Sequence, residues 1–304
     1  MKLHYRKNSL ARFRVSVPLL VSALLCVVLL HSTPTLAAPP HPDLKDRINE
    51  GIVEPPPFMK NYNSLRKRGV CDGCVSNAPA ALLERRANAG DSAGAQNPAL
   101  AGAATIFRAL AILVDFSDKV SVVTPTFFDT MLFVSQPGTV RDYYGEISYG
   151  QLDMVTVNLP SSLGWTRAPQ TYAYYTNAQN GTGSYPQNSQ KLTEDLVDAL
   201  DGVMNFAVYD NDANGFVDVL IIVHTGPGAE FTGSPNDIWS HKWSITPRLK
   251  DGVWISDYTI QPEYWSAPGD LTIGVYAHEL GHGFGLPDLY DTDNSSWGLG
   301  RWSL

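Results

Sequence analysis

The segment His278-Glu279-Leu280-Gly281-His282-Gly283-Phe284-Gly285-Leu286-Pro287-Asp288 constrains this chain more than any other. His282 lies four residues after His278, so on a helix the two imidazoles share one face about one turn apart. Neutral imidazoles at that spacing can grip one Zn²⁺. Glu279 then sits beside the metal without having to bind it, where it can take a proton from a bound water. Gly285 is free to adopt the positive φ that ends a helix. Pro287 blocks a return to helix, and the turn carries Asp288 back toward the metal as a third ligand. Three protein ligands leave one position open for water, as a catalytic zinc requires. The bland alternative is a helix with two hydrogen-bonded histidines, which leaves the glycine and the aspartate at their offsets unaccounted for.

Composition removes the non-globular classes. The 304 residues are 44% hydrophobic and 17% charged, unlike disordered, collagen or coiled-coil sequences. The length suits one or two domains with a sizeable core. Residues 1–38 read as a secretory signal peptide. Lys2, Arg6, Lys7, Arg12 and Arg14 precede an apolar run from Val15 to Leu30, and cleavage is expected after Ala37 or Ala38. The run is short for a membrane span and Pro18 breaks it. The expected product is secreted and extracellular, with no stable membrane insertion after signal removal. Beyond residue 38, 17 basic residues stand against 30 acidic ones, a net charge of −13. That balance argues against nucleic acid or anionic membrane surfaces as partners. Of three cysteines, Cys71 and Cys74 remain after cleavage, too few for a disulfide scaffold.

Residues 39–104 are rich in Pro, Ala, Gly and basic residues and read as a pro-segment or linker, with basic sites at Arg66-Lys67-Arg68 and Arg85-Arg86. The globular region is expected from 105 to 304. Ile106–Phe116 reads as a buried strand, Leu152–Leu159 as an alternating one, and Phe216–Val223 as a strongly apolar one. Ile238–Ile245 and Trp254–Ile260 read as two more. Helices are expected over Pro125–Phe133, Val140–Ile147 and Leu271–Phe284. Another starts at Ser189 as its cap, with Leu192, Leu196, Val197, Leu200, Val203 and Met204 on one face. Mixed strands and helices indicate an α/β or α+β layer architecture.

A second metal pattern lies upstream. Asp210, Asp212, Asn214, Gly215 and Asp218 form D-x-D-x-N-G-x-x-D, and Phe216 can add its carbonyl. Oxygen ligands at alternate positions around a glycine turn suit Ca²⁺. Ile221 stands where an EF-hand has its bidentate glutamate, and an Asx-rich turn without metal is the alternative. Cys71 and Cys74 suit a local disulfide, or one thiolate capping the zinc of a zymogen. His224 and His241 read as structural histidines or cleft-lining ones. I-W-S-H-K-W at 238–243 is a candidate edge strand for an extended substrate. Asn180-Gly181-Thr182 and Asn294-Ser295-Ser296 are glycosylation sequons, relevant in a eukaryotic host.

These pieces share one pattern. A-I-L-V-D-F at 111–116, R-D-Y-Y-G-E-I-S-Y-G at 141–150, the acidic loop at 210–218, I-W-S-H-K-W at 238–243 and G-V-Y-A-H-E-L-G-H-G-F-G-L-P-D-L-Y-D at 274–291 stand in order. With them, residues 105–304 resemble the secreted metalloproteases of the immune inhibitor A family. The resemblance implies an α/β (α+β) zincin-like fold, with a twisted mixed sheet, a backing helix and an active-site helix. It implies zinc on His278, His282 and Asp288, with Asp291 as a competitor for the third place, and Glu279 as general base. It also strengthens the calcium reading of Asp210, Asp212, Asn214, Phe216 and Asp218. Family members run on past a stretch like Gly300-Arg301-Trp302-Ser303-Leu304 into a methionine turn under the zinc. The C-terminal subdomain is therefore expected to be truncated in this chain. The function expected is a zinc-dependent endopeptidase acting on protein or peptide substrates. The competing expectation is a non-catalytic, calcium-stabilised secreted binding module or inactive fragment.

Overall fold

The computed structural model describes residues 38–70, 104–286 and 288. The signal-peptide run, Cys71, Cys74, Arg85-Arg86, Asp291, the sequon at Asn294 and the stretch 300–304 lie outside the described residues.

The first strand of the main sheet in chain order is β2 (Leu110–Asp115), apolar in five of its six positions and buried at all six. A strand buried on both faces must be interior to a sheet covered on two sides. The sheet has five strands in the order β4 (Trp165–Arg167), β2, β5 (Leu220–Pro227), β7 (Val253–Tyr264), β6 (His241–Lys250). The neighbours run parallel except β6, which returns antiparallel beside β7. Asp251 and Gly252, both at positive φ, make the tight turn between β6 and β7.

Two apolar layers cover the sheet, and alternation along β2 assigns residues to them. Leu110, Ile112 and Val114 face a layer with Leu192, Leu196 and Val197 of α7 (Ser189–Ala199). Ala111 and Leu113 face α3 (Pro125–Phe133), α4 (Val140–Ile147) and α9 (Gly274–Gly283). The mixed sheet with helices on both faces agrees with the expected class. Two helices were not foreseen, α1 (Pro42–Asn49) and α2 (Pro57–Lys67). Phe58, Tyr62 and Leu65 of α2 join the α7 layer.

Several boundaries differ from expectation for local reasons. The strand expected over 106–116 is two strands. β1 (Thr105–Arg108) pairs with β3 (Leu152–Val155). The chain then changes partner: Ala109 N–H donates to Val155 O at 2.9 Å, and Leu110 N–H to Val219 O at 3.2 Å. β3 stops at Val155 instead of Leu159, and the Tyr209 hydroxyl accepts from Asn158 N–H at 3.0 Å in place of a strand partner. β5 begins four residues later than expected, because Phe216 bridges to Trp254 instead. The cap of α7 is Asn188, whose Oδ1 accepts from Lys191 N–H at 3.1 Å. Ser189 instead lies inside the helix, where its hydroxyl meets Gly181 O, His241 Nε2 and Tyr258 OH. α9 starts at Gly274, because Asp270 holds the preceding residues in a turn by accepting from the amides of Trp265, Ser266 and Ala267.

The short helices α5 (Pro160–Leu163), α6 (Tyr172–Thr176) and α8 (Ala229–Thr232) complete the described elements used below.

Candidate metal centre and active site

Helix α9 is buried from Val275 to His282. Two hydroxyls seat it: Tyr144 of α4 donates to Ala277 O at 2.6 Å, and Tyr276 donates to Pro262 O of β7 at 2.7 Å. His278 and His282 share one face, with Nε2 atoms 3.1 Å apart. Gly285 has φ +82°, and Leu286 N–H donates back to Gly281 O at 2.9 Å, which closes the helix. The turn returns Asp288 to the imidazoles. Its Oδ1 lies 3.1 Å from His278 Nε2 and 3.3 Å from His282 Nε2, with the carboxylate fully covered.

The protonation pattern favours a cation among these atoms. His282 Nδ1 lies 2.9 Å from Leu286 O. A proton on Nδ1 makes that bond and leaves the Nε2 lone pair facing Asp288. Three electron-rich atoms 3.1–3.3 Å apart repel one another unless a positive charge sits with them. Tetrahedral zinc, with bonds of roughly 2.0–2.2 Å, spaces its ligands by about 3.3–3.5 Å. The donor set and spacing therefore fit zinc. A proton answers the same demand: His282 is pushed up to about 9, since burial opposes its charge but the Asp288 hydrogen bond and the Glu279 and Asp288 carboxylates outweigh it. Asp288 is held below the usual carboxylate range, because the two imidazoles overcome the effect of burial.

Glu279 is wholly buried beside this cluster. Burial pushes its carboxyl up, while His278 and His282 pull it down. Its Oε2 has no hydrogen-bond partner among the described residues. Its Oε1 accepts from the backbone N–H of Ala38 at 2.9 Å. The carbonyl of Ala38 accepts from the Trp239 indole N–H at 3.0 Å. Trp239 itself lies under Phe58 of α2, their rings stacked at 4.8 Å. Ser240 next to it is pinned by the buried Glu230, which accepts from Ser240 Oγ at 2.6 Å and Ser240 N–H at 3.1 Å.

The acidic loop brings carboxylate oxygens of Asp210, Asp212 and Asp218 within 4.8 Å of one another. Asp210 accepts from the amides of Asn214 and Gly215, Asp218 from Asn211 N–H, and Asn214 Oδ1 from Phe216 N–H. Asn214 Oδ1 and the Phe216 N–H are thus engaged in the internal turn of the loop. Burial pushes Asp218 up to about 6, with Asp212 and Asp210 adding to it. His224 and His241 are both wholly buried, and burial lowers them to about 3 and about 4. His241 bonds Trp239 O and Ser189 Oγ, a structural position within the sheet layer. Asn180 is wholly buried, accepting from Phe58 N–H and donating to Ser234 O and Asp237 O. Its sequon is therefore closed in this fold.

Ala38, Trp239 and Glu230 are the site neighbours that sequence reasoning missed. Ala38 falls at the end of the signal-peptide pattern, and its bond to Glu279 spans 241 positions. The only available signal was the Trp-Ser pair within I-W-S-H-K-W. No local periodicity reports contacts of that range.

Comparison with known proteins places the chain in a family. The profile of the immune inhibitor A peptidase M6 catalytic domain matches residues 95–304. Immune inhibitor A of Bacillus thuringiensis subsp. alesti is 31% identical over 58% of this chain and 31% of its own length. Pre-pro-metalloprotease PrtV of Vibrio cholerae serotype O1 (strain M66-2) is 32% identical over 46% of this chain and 18% of its own length. The chain thus spans less than a third of the length of these curated relatives. With the profile covering more than half of it, the chain belongs to the immune inhibitor A peptidase family, M6.

Proposed function

We propose that this chain is the catalytic region of a secreted zinc-dependent endopeptidase, carried with its own pro-segment. The observation that carries the reading is the convergence of His278 Nε2, His282 Nε2 and Asp288 Oδ1 beside a buried Glu279. These three residues would hold the zinc, which when bound supplies Lewis acidity and an acidified water. Glu279 would take the proton of the attacking water and return it to the departing amine nitrogen. Burial that raises Glu279 suits a group that must hold a proton between those two events. His282 Nδ1, bonded to Leu286 O, keeps the imidazole in the tautomer that a metal requires.

Residues 38–70 are read as the described part of the pro-segment. Ala38 against Glu279 supports a latent state, since the proton-handling oxygen is already engaged. Secretion rests on the signal-peptide pattern, with cleavage after Ala37, the option that leaves Ala38 in the pro-segment. Among the described residues, no helix is long and apolar enough to cross a membrane.

The test is zinc content and peptide hydrolysis measured together after removal of residues up to the pro-segment boundary. One zinc per chain is expected. Glu279→Gln should keep the metal and lose at least a thousandfold in turnover, whereas His282→Ala should lose the metal. Turnover surviving Glu279→Gln would remove the proposed base. A folded chain without zinc or hydrolysis would favour the binding-module reading. The acidic loop is read as a calcium site on its three convergent carboxylates. Calcium is expected to raise the melting temperature of the wild type but not of Asp212→Ala; equal shifts would return the loop to a plain Asx turn.

A further inference from the structure

Three polar side chains in the layer between the sheet and α9 have atoms with no hydrogen-bond partner among the described residues. They are Thr259 Oγ1, both amide atoms of Gln261, and Glu279 Oε2. Thr259 is buried, and Gln261 and Glu279 are 0% exposed. Buried polar groups cost free energy unless something satisfies them. Residues paired on neighbouring strands point to the same face of a sheet. Thr259 pairs with Ile221, and Gln261 with Val223. Ile221 and Val223 belong to the apolar layer that contains Tyr276, Ala277 and Leu280. Thr259 and Gln261 therefore point at α9.

Two contacts fix their level along the helix. A Cβ on Gly283 would lie 4.0 Å from Thr259 Cγ2, so the last turn of α9 passes over Thr259. The Tyr276 hydroxyl reaches Pro262 O, so α9 runs antiparallel to β7. Gln261 is two residues beyond Thr259, about 6.6 Å along the strand. At about 1.5 Å per helical residue this is roughly four positions back from Gly283, the level of Glu279. Ser240 flanks the same place. It precedes His241, which pairs with Ile260 in the antiparallel β6–β7 ladder, so it comes opposite Gln261. Its hydroxyl and N–H engage both oxygens of Glu230. Glu279 is thus the carboxylate on this side that still calls for a donor.

We propose that Gln261 is a positioning residue for Glu279, its Nε2 donating to Oε2 directly or through one ordered water, with Thr259 fixing the orientation of the amide. The proposal rests on the peptidase reading. The donors and acceptors match. A threonine hydroxyl can donate to the glutamine Oε1, which leaves Nε2 to donate to a carboxylate that only accepts. Glu279 Oε1 already accepts from the Ala38 N–H, away from the sheet. With Oε2 held from the sheet side, the plane of the carboxylate is fixed and Oε1 faces the reacting atoms. A general base held in this way meets its proton without first rotating. Gln261 is wholly buried and acts only through Glu279.

A double-mutant cycle in the full, zinc-loaded chain tests the contact without relying on activity. Gln261→Met keeps the length of the side chain and removes both polar atoms. It should leave Glu279 without its donor and shift the urea-unfolding equilibrium about tenfold toward the unfolded chain. With Glu279→Met in place, Gln261 has no carboxylate to serve, and the same substitution should be neutral or stabilising. Equal effects in the two backgrounds would overturn the proposal. If Gln261→Met does not fold, Thr259→Val goes through the same cycle, with an expected difference of about threefold. After limited proteolysis of the full chain, Gln261→Met should lower kcat about tenfold while KM and zinc content stay at their wild-type values. An unchanged kcat, or a loss confined to KM, would overturn the positioning role. Coupling in the cycle without hydrolysis by any form of the chain would support the contact and overturn the peptidase reading. Hydrolysis that needs Glu279, with no coupling to Gln261, would do the reverse.

Discussion

Glu230 is wholly buried, and burial pushes its carboxyl up to about 7 even though Ser240 donates to it twice. A carboxyl raised on folding binds its proton more tightly in the folded chain. Its contribution is then fully present below the unfolded value near 4.5 and is lost as pH rises through about 7. The loss is of order 3 kcal/mol across that window. Urea unfolding between pH 4.5 and 8 should show it, and Glu230→Gln should flatten the profile. Parallel profiles in both chains would place the titration elsewhere. The same residue shows what a sequence conceals. His278, Glu279, His282 and Asp288 are legible because helix geometry and one glycine turn bring neighbours in sequence together. Glu230 stands alone in G-A-E-F, and its partner is fixed only when α8 packs beside the start of β6. Trp239 and Ala38 meet for the same non-local reason.

Elements were legible where the apolar period was clean and blurred where the chain changes partner. α3 and α4 run over the expected residues, since Pro125 and Thr139 mark their starts. The long apolar run 106–116 gave no sign that Ala109 is a crossing point between β3 and β5. Periodicity reports burial, not which strand receives the hydrogen bonds. The start of α7 was one residue off for a related reason. Asn188 and Ser189 both have capping side chains, and tertiary contacts with His241 and Tyr258 claim the serine. Asn188 is wholly buried, and its Nδ2 also donates to Gly183 O at 3.1 Å. Asn188→Ala should therefore cost about 1–2 kcal/mol, combining a lost cap with an unpaired buried carbonyl. A lower urea midpoint at unchanged slope would match this. A change below about 0.3 kcal/mol would show that the first turn of α7 does not depend on its cap.

At the scale of the whole molecule, the segment 58–70 is part of the core of the region it was expected merely to precede. The pattern Phe58, Tyr62, Leu65 has helical spacing, but it sits among prolines and basic residues in only 11 helical positions. The Pro, Ala, Gly and basic residues around it mask that short period. Packing decides otherwise: Phe58, Tyr62, Leu65 and Val70 all enter the α7 layer. Burying each such side chain contributes about 1.5–3 kcal/mol. The Trp243 indole N–H donates to Arg68 O at 2.9 Å, and Phe58 N–H donates to Asn180. Together these exceed the lower estimates of roughly 4 kcal/mol for losing translational and rotational freedom. Cleavage after Arg85 or Arg86 should therefore not release the segment. Limited trypsin treatment, with the cut site verified by mass spectrometry, should give two pieces that co-elute on gel filtration at micromolar concentration and separate in urea. Phe58→Asp should let them separate without urea, because it puts a charge against the face of Trp239. Co-elution would mean that activation needs a second event, either further degradation of the segment or displacement of residues 38–53 by substrate. Separate elution of the unsubstituted pieces would mean that the peptide link alone holds the segment, and a single cut at the basic pair would then open the site.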